Sequence, residues 1–147
     1  MKIRKGKISD ARKIFNFLGS APELHASKSN QDYDLKFVKS ILNDKQSSIV
    51  IIAEEDKEIV GFIIGLLWPK IREAFTLDLF IRPEFRQRGI ATKLNNEYER
   101  MLKEKDYNWI TSFVLTNNFK MQKLKSKLNY KRGKKFIFYS KEIKWKH

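Results

Sequence analysis

Two apolar runs rich in β-branched residues lie one after the other near the middle of the 147-residue chain. They cover residues 48–54 and 59–67, and four polar residues separate them. Runs of this length with a short polar break are typical of a β-hairpin. A third run, residues 73–81, alternates and is closed by Arg82-Pro83, a dipeptide that disfavours further regular structure. The chain is therefore expected to fold around a sheet.

Segments with helical spacing flank these strands in the sequence. Apolar residues recur every three or four positions in four segments, which predicts helices over residues 11–18, 32–42, 89–105 and 119–128. Ser9-Asp10 is a suitable N-cap for the first. Further strands are expected over residues 2–4 and 109–115, with a final hairpin over residues 130–143. The order β-α-α-β-β-β-α-β-α-β-β predicts one α/β (α+β) domain, residues 1–147, with a mixed sheet of about seven strands and about four helices on its faces.

Composition excludes several classes of protein. The chain has no cysteine, which excludes a disulfide framework, a thiolate metal site and a cysteine nucleophile. Its two histidines, His25 and His147, are too far apart in sequence to suggest a metal site, so no metal is expected. The longest apolar stretch, residues 59–68, is half the length of a membrane span. We expect a cytoplasmic protein without a membrane association.

The charge is strongly positive and unevenly distributed. The formal net charge is +14, and residues 111–147 hold eleven Lys or Arg against one acid, Glu142. A basic surface attracts polyanions such as nucleic acid, acidic proteins or a phosphorylated cofactor. A generally lysine-rich surface without a specific partner explains the same numbers, so charge alone does not choose between them.

A basic loop connects the third long strand to the predicted helix 89–105. Its sequence is Arg86-Gln87-Arg88-Gly89-Ile90-Ala91. The first amides of a helix lack internal partners and lie at the positive end of the helix dipole, which favours phosphate. Gly89 allows close approach to the backbone, and the arginines add positive charge. An ordinary strand-to-helix loop with incidental arginines is the other interpretation.

This loop resembles the Gln/Arg-x-x-Gly-x-Gly/Ala signature of the GNAT superfamily of N-acetyltransferases. The resemblance extends upstream to residues 77–86, which are similar to that family's fourth strand and its Pro-x-aromatic-Arg segment. Downstream it includes residues 115–118 and Leu128-Asn129-Tyr130, which are similar to the fifth strand with its following Asn and to the family's closing Leu-Gly-Phe. Ile3-Arg4 and Ser9-Asp10-Ala11 resemble its opening. The resemblance covers essentially the whole chain.

The resemblance implies a mostly antiparallel sheet that splays between strands 4 and 5 and binds acetyl-CoA. The backbone of Leu79, Phe80 and Ile81 is then expected to pair with the pantetheine arm, and Asn118 to contact it from the other side. The pyrophosphate is expected on the amides of Arg86, Gln87, Arg88, Gly89, Ile90, Ala91 and Thr92.

Catalysis requires a base, because an alkyl ammonium with a pKa near 10 must lose a proton before it attacks a thioester. Asp78 is the first candidate and Glu73 the second. Many members of the family protonate the leaving thiolate with a Tyr seven residues after the Asn, and this chain has Lys125 there. Lys125 is a candidate acid or electrostatic stabiliser, or else it faces solvent or the cofactor phosphate. Tyr130 and Tyr139 are substitutes.

The expected reaction is acetyl transfer to a primary amine by direct attack. The acceptor class stays open: a protein N-terminus or lysine, an amino-sugar, or a small metabolite amine. The charge of +14 favours an acidic or phosphorylated acceptor over a polycation. The alternative is a non-catalytic CoA-binding or basic nucleic-acid-binding regulatory module on the same scaffold. The sequence is compatible with a monomer or a homodimer.

Overall fold

A computed structural model of the protein describes residues 1–20 and 34–144. The strands are β1 (Lys2–Lys5), β2 (Ser48–Glu55), β3 (Glu58–Trp68), β4 (Glu73–Ile81) and β5 (Trp109–Ser112). The helices are α1 (Ala11–Ser20), α2 (Leu35–Asn43), α3 (Ile90–Glu104) and α4 (Phe119–Lys127). Short 3-10 turns lie at Ile8–Asp10, Pro69–Ile71 and Pro83–Phe85.

The five strands form one mixed sheet in the order β1-β2-β3-β4-β5. Strands β1 to β4 pair with one another in antiparallel fashion, and β5 pairs with β4 in parallel fashion. The predicted central hairpin is confirmed, since β2 and β3 pair along their full length around a turn at Asp56 and Lys57. Both residues there have positive φ, the backbone geometry that two-residue hairpins favour.

Helices cover the two faces of this sheet, which explains why β2 and β3 are apolar on both sides. One face packs against α1 and α2, with Ile52, Phe62 and Phe80 in the shared core. The other face packs against α3, with Ile51 and Ile63 among the buried residues. The predicted mixed α/β class and the four helices are confirmed.

The predicted count of about seven strands is wrong. The structure assigns no strand to residues 130–144, where the final hairpin was expected, and β5 ends at Ser112 instead of reaching residue 115. The apolar residues within 134–143 made a strand the natural prediction. Apolar side chains on an extended segment, however, need a neighbouring strand and covered faces. The sequence pattern indicates that such a neighbour is needed, but it does not show that the chain itself provides one.

Helix starts also differ from the sequence expectation in detail. Helix α2 begins at Leu35, and Asp34 caps it by accepting a hydrogen bond from the amide of Phe37 at 2.7 Å. The expected start at Asp32 lies outside the described residues. Asp10, expected as the cap of α1, accepts instead from the amide of Lys7 at 2.7 Å.

Asp10 is part of an ion-pair network that ties β1 to β2. Arg4 donates to both oxygens of Asp10 at 2.8 and 2.9 Å, and to Glu54 at 2.7 Å. The three side chains are mostly shielded from solvent. Burial acts to raise the pKa of Asp10, but the hydrogen bonds from Arg4 and Lys7 outweigh it, and the pKa is lowered.

The substitution Asp10→Asn is expected to lower the free energy of unfolding by about 2 kcal/mol at pH 7, the range for a hydrogen bond to a charged group. Because the pKa of the folded carboxyl is lowered, its contribution is present above the unfolded pKa and is lost as pH falls. Urea denaturation should therefore show the difference shrinking below pH 4. Asp106→Asn, in an exposed pair with Arg72, is the control, with an expected change under about 0.5 kcal/mol.

Within residues 1–20 and 34–144, no helix has the length and apolar character needed to cross a membrane.

Candidate functional site

The loop between β4 and α3 is shaped as an anion-binding concavity. Gln87 and Gly89 both have positive φ, 62° and 76°, on either side of Arg88. Helix α3 then begins at Ile90 with no side-chain cap and no acid in its first turn. Left-handed residues in a tight loop can turn neighbouring amides to one side, and the open first turn of a helix adds more. The loop therefore presents free N–H groups and positive potential.

Arginine side chains frame this concavity without filling it. Arg86 donates from Nε to the carbonyl of Ile81 at 2.9 Å, which ties the loop to the end of β4. The guanidinium groups of Arg82 and Arg88 lie over the Phe85 ring, 5.2 and 5.0 Å from its centroid. Arg88 also meets Glu55 at 3.3 Å in an exposed and therefore weak pair.

A gap opens between β4 and β5 beside this loop. The two strands pair only where Glu73–Thr76 face Trp109–Ser112, while β4 runs on to Ile81. The amide of Arg82 bonds the carbonyl of Val60 at 2.9 Å, so the alternation of an antiparallel pair turns the backbone groups of Leu79 and Ile81 away from β3. Both backbone groups of Leu79 and the amide of Ile81 therefore face the gap, while the Ile81 carbonyl accepts from Arg86 Nε and the backbone of Phe80 bonds β3.

Asp78 lies at an irregularity in β4. The pairing register with β3 shifts between Ile64 and Gly65, so that Asp78 lies opposite Ile64 and Thr76 opposite Gly65. Ile64 belongs to the core under α1 and α2, which places the Asp78 side chain on that face. The side chain is buried, and Oδ2 has no hydrogen-bond partner among the described residues. Burial raises the pKa of Asp78 to about 8.

Glu73 lies at the opposite end of β4. Its carboxylate accepts a hydrogen bond from the Thr111 hydroxyl, across the part of the sheet where β4 and β5 still pair. Four residues of the strand lie between it and Asp78. The structure therefore does not bring the two candidate bases together.

Lys125 is buried in α4, on the α3 side of the sheet. Its Nζ lies 4.2 Å from the centroid of the Tyr130 ring and has no hydrogen-bond partner within the described part of the chain. Burial lowers the pKa of Lys125 to about 8. Tyr130 is held in place by donating its hydroxyl to Asn95 at 2.9 Å, and Asn95 in turn donates to Glu99 at 2.7 Å.

Two further polar groups on this side were missed by the sequence analysis. The Tyr98 hydroxyl and Thr76 Oγ1 are buried close to each other, and Thr76 interacts with the hydroxyls of Tyr98 and Tyr130. A Cβ added to Gly65 would overlap the Tyr98 hydroxyl, so Gly65 makes room for it. That glycine inside a strand was the available signal, because strand glycines often mark a close approach.

Asn118 lies where the chain enters α4. Its Oδ1 accepts from the amide of Met121 at 3.1 Å and caps the helix. This contact uses the side-chain oxygen and leaves the amide nitrogen as a donor. No group of three or more His, Cys, Asp or Glu that could hold a metal lies within the described residues.

The protein's relationships agree with this geometry. The family model described as the acetyltransferase (GNAT) family matches residues 12–130, most of the chain. The chain belongs to this family. It is 26% identical over 145 residues to an uncharacterized N-acetyltransferase, YhfO, of Bacillus subtilis (strain 168), with 95% of each chain covered.

Solved structures of other acetyltransferases share the fold. The aminoglycoside N-acetyltransferase AAC(6')-Iy in complex with CoA superposes with a TM-score of 0.76 at 22% identity, over 97% of this chain and 100% of that one. A ribosomal-protein-alanine N-acetyltransferase from Brucella melitensis biovar Abortus 2308 gives a TM-score of 0.73 at 18% identity, covering 97% and 98%. At these identities the likeness establishes the fold.

In this GNAT-family chain, two buried ionisable side chains on opposite faces of the sheet have an atom without a hydrogen-bond partner among residues 1–20 and 34–144. Native proteins rarely leave such atoms unsatisfied, and the exceptions require an explanation. A polar ligand placed in the gap between β4 and β5 supplies one. The residues fit an elongated co-substrate with an anionic end, because the concavity is cationic and the strand edge of Leu79 and Ile81 offers hydrogen bonds. The two atoms are Asp78 Oδ2 and Lys125 Nζ.

Replacing Asp78 with Asn is expected to stabilise the protein increasingly as pH rises. The folded carboxyl has a raised pKa, so it keeps its proton between about pH 4 and 8 while the unfolded chain releases one, and the stability of the wild type falls across that window. Urea denaturation should show the advantage of Asp78→Asn growing by more than about 1 kcal/mol between pH 5 and 8. A constant offset at all pH values would contradict the burial of this group.

Proposed function

We propose that this protein is an acetyl-CoA-dependent N-acetyltransferase that acts on a primary amine by direct attack. The observation that carries the proposal is the uncapped N-terminus of α3, which a loop of residues 82–89 connects to the strand whose outer edge is open at Leu79 and Ile81. The proposed phosphate-binding site and the strand edge that would pair with the amides of the co-substrate are thus next to each other, as a long phosphorylated thioester requires. The CoA bound to the related aminoglycoside N-acetyltransferase supports the same choice of co-substrate.

The phosphates of the co-substrate are placed on the loop and the first turn of α3. Free amides there and the helix dipole favour negative charge. Arg86 and Arg88 are exposed at the rim, where they add electrostatic attraction without occupying the concavity. The amides assigned to this role are those of Gln87, Arg88, Gly89, Ile90, Ala91 and Thr92, whereas the amide of Arg86 donates to the carbonyl of Pro83 at 3.2 Å and Arg86 contributes its charge.

The remaining length is placed along β4. Leu79 and Ile81 offer backbone groups to the gap, and Phe80 anchors the strand between them to β3. Asn118 lies at the start of α4, after β5, and contributes its amide nitrogen from the other side. Bound acetyl-CoA supplies the activated acyl group as a thioester.

Asp78 is assigned as the base that accepts a proton from the acceptor ammonium. A base is most effective when its pKa lies near the working pH, and burial brings the pKa of Asp78 to about 8. The carboxyl can therefore exchange protons with an amine whose pKa is near 10 more readily than an exposed carboxylate could. Glu73 stays the second candidate, at a greater distance from the gap's open end and bonded to Thr111.

Lys125 is assigned a proton-holding role on the opposite face. Burial lowers the pKa of its ammonium to about 8, so it releases a proton far more readily than an exposed lysine. Its Nζ has an aromatic neighbour, Tyr130, but no acceptor in the described structure. It is therefore available to donate toward the leaving sulfur, the role that a tyrosine hydroxyl serves in many relatives.

The acceptor is proposed to carry its amine next to a ring or an apolar group. Trp68 stacks on Phe75 at 6.1 Å and is half exposed, and Phe75 meets Phe113 at 5.4 Å. Phe75 lies opposite Leu66, which packs on the α1 and α2 side, so these rings share the face of Asp78. The formal charge of +14 favours an acidic or phosphorylated acceptor, with protein amines, amino-sugars and small metabolite amines as the classes to compare.

Gly89→Val is expected to weaken acetyl-CoA binding at least about tenfold. A side chain at φ 76° is strained, and it also blocks the approach of phosphate to the amides. Isothermal titration calorimetry measures the effect. Gly19→Val, which adds the same side chain at an exposed position with open space around it, should bind as the wild type does. Equal affinity of all three proteins would show that the loop is not part of the cofactor site.

The rate of acetyl transfer is expected to rise with pH to a maximum near pH 8 and then to fall, because Asp78 must be ionised to act as a base while Lys125 must keep its proton to act as an acid. Asp78→Asn should lower kcat/KM about 100-fold and remove the rise of the rate with pH. Two acceptors whose amines have different pKa values separate the enzyme group from the substrate. Asp56→Asn, in the β2–β3 turn, is the control; an unchanged profile in Asp78→Asn would refute the assignment.

A further inference from the structure

A cluster of side chains lies at the inner end of the gap between β4 and β5, on the α3 side of the sheet. Thr76 is the last residue of β4 that pairs with β5, so the two strands separate just beyond it. Its side chain interacts with the hydroxyls of Tyr98 and Tyr130. The Lys125 Nζ lies 4.2 Å from the centroid of the Tyr130 ring. The amine of Lys125 is therefore one tyrosine ring away from the point where the strands separate.

The Lys125 amine is enclosed without an anionic partner. The residue is 8% exposed, and its Nζ has no hydrogen-bond acceptor within residues 1–20 and 34–144. The Glu99 carboxylate accepts from Asn95, and Asn95 accepts from the Tyr130 hydroxyl, so this acid is occupied two side chains away. Burial without a counter-ion favours the neutral amine, which is the nucleophilic form of lysine.

The proposed acetyl-CoA site leads toward this cluster. Its phosphates are assigned to the loop and helix start that follow Ile81, and its arm to the open edge at Ile81 and Leu79. From Ile81 to Thr76 the strand extends about 16 Å, at about 3.3 Å per residue. The thioester is at the far end of the co-substrate from its phosphates. An arm that follows this edge therefore delivers the thioester to the inner end of the gap.

We propose, on the basis of the acetyl-CoA function proposed above, that Lys125 is a self-acetylation site that takes the acetyl group when no acceptor amine is bound. The lone pair of the neutral Nζ attacks the thioester carbonyl carbon. A C–N bond forms, the C–S bond breaks, and the sulfur leaves with the electron pair as a thiolate. The proton that Nζ releases goes to the thiolate or to solvent, so the products are N-acetylated Lys125 and CoA.

Self-acetylation ends the proton-donating role of Lys125. An acetylated lysine is an uncharged amide, so it has no ammonium proton to give to a leaving sulfur. An amide is also a much poorer acyl donor than a thioester, so the acetyl group stays on the lysine. Because the uncharged form is less costly to bury than an ammonium, the modified state is stable in this site. The protein thus inactivates itself in acetyl-CoA when acceptor is absent.

Peptide mass spectrometry after incubation with isotopically labelled acetyl-CoA at pH 8, without acceptor, tests the site. About half of the Lys125 amines are neutral at that pH, against under about 1% for a lysine of ordinary pKa. Lys125 should therefore be labelled at least about tenfold faster than Lys127, which is exposed on the same helix. The rate at Lys125 should saturate with acetyl-CoA and reach one acetyl group per chain.

Competition and denaturation separate labelling within the site from ordinary surface acetylation. Excess CoA should slow the labelling of Lys125 and leave that of Lys127 unchanged, because only the first depends on a bound thioester. In concentrated urea the two lysines should react at the same rate. A Lys125 rate that ignores excess CoA, or that equals the Lys127 rate in the folded protein, would overturn the proposal.

Two variants identify the modified residue independently of the peptide map. Lys125→Met keeps a long unbranched side chain without the amine, so the fast phase of labelling should disappear from the intact mass while slow surface labelling continues. Lys127→Arg should keep the fast phase. A fast phase that persists in a folded Lys125→Met protein would contradict the assignment, and the wild-type peptide map decides the question if that variant does not fold.

Calorimetric titration of the wild type with CoA, in the same buffer, distinguishes the two levels of the account. Binding of CoA without preferential labelling of Lys125 would overturn self-acetylation and leave the proposed acetyltransferase function intact. No binding of CoA would overturn both. Binding together with fast, saturable labelling of Lys125 is the expected result.

Discussion

The limited pairing between β4 and β5 is the constraint on which the site depends. Parallel strands that paired along their whole length would close the sheet and use every backbone group of Leu79 and Ile81. Here pairing stops at Thr76 and Ser112, while β4 continues because β3 holds its other edge as far as Ile81. One strand is thus fixed on one side and open on the other, and the loop to α3 begins at the end of that open edge.

The same opening accounts for the perturbed ionisable groups. Asp78 and Lys125 lie on opposite faces of the sheet, and burial alone shifts each pKa, in opposite directions, to about 8. Among residues 1–20 and 34–144, no charged neighbour offsets the burial of either group, and this burial costs stability in the free protein. Binding sites commonly retain such a cost, because the groups are then available to a ligand and to proton transfer. The burial of these two groups is thus the origin of both the lost stability and the proposed catalytic roles.

The sequence predicted the parts of the fold that depend on local pattern. Periodicity and turn residues predict the β2–β3 hairpin and the helices. Gly89, with the arginines around it, predicts the basic loop before α3. The missing final hairpin shows where such reasoning stops, since the pattern of residues 134–143 is compatible with any available edge, including that of another molecule. Tyr98 and Thr76 were not predicted as polar site groups because their proximity depends on the register of β3 and β4 and on Gly65.

The central claim, that the edge of β4 and the first turn of α3 form one continuous acetyl-CoA site, is tested most directly by amide hydrogen exchange. Exchange is measured residue by residue with and without acetyl-CoA. The account predicts that the ligand slows exchange at Leu79, Ile81 and the amides of residues 90–92 together, with little change at the exposed β2–β3 turn. Protection of the α3 amides without Leu79 and Ile81, or no protection at either place, would contradict it.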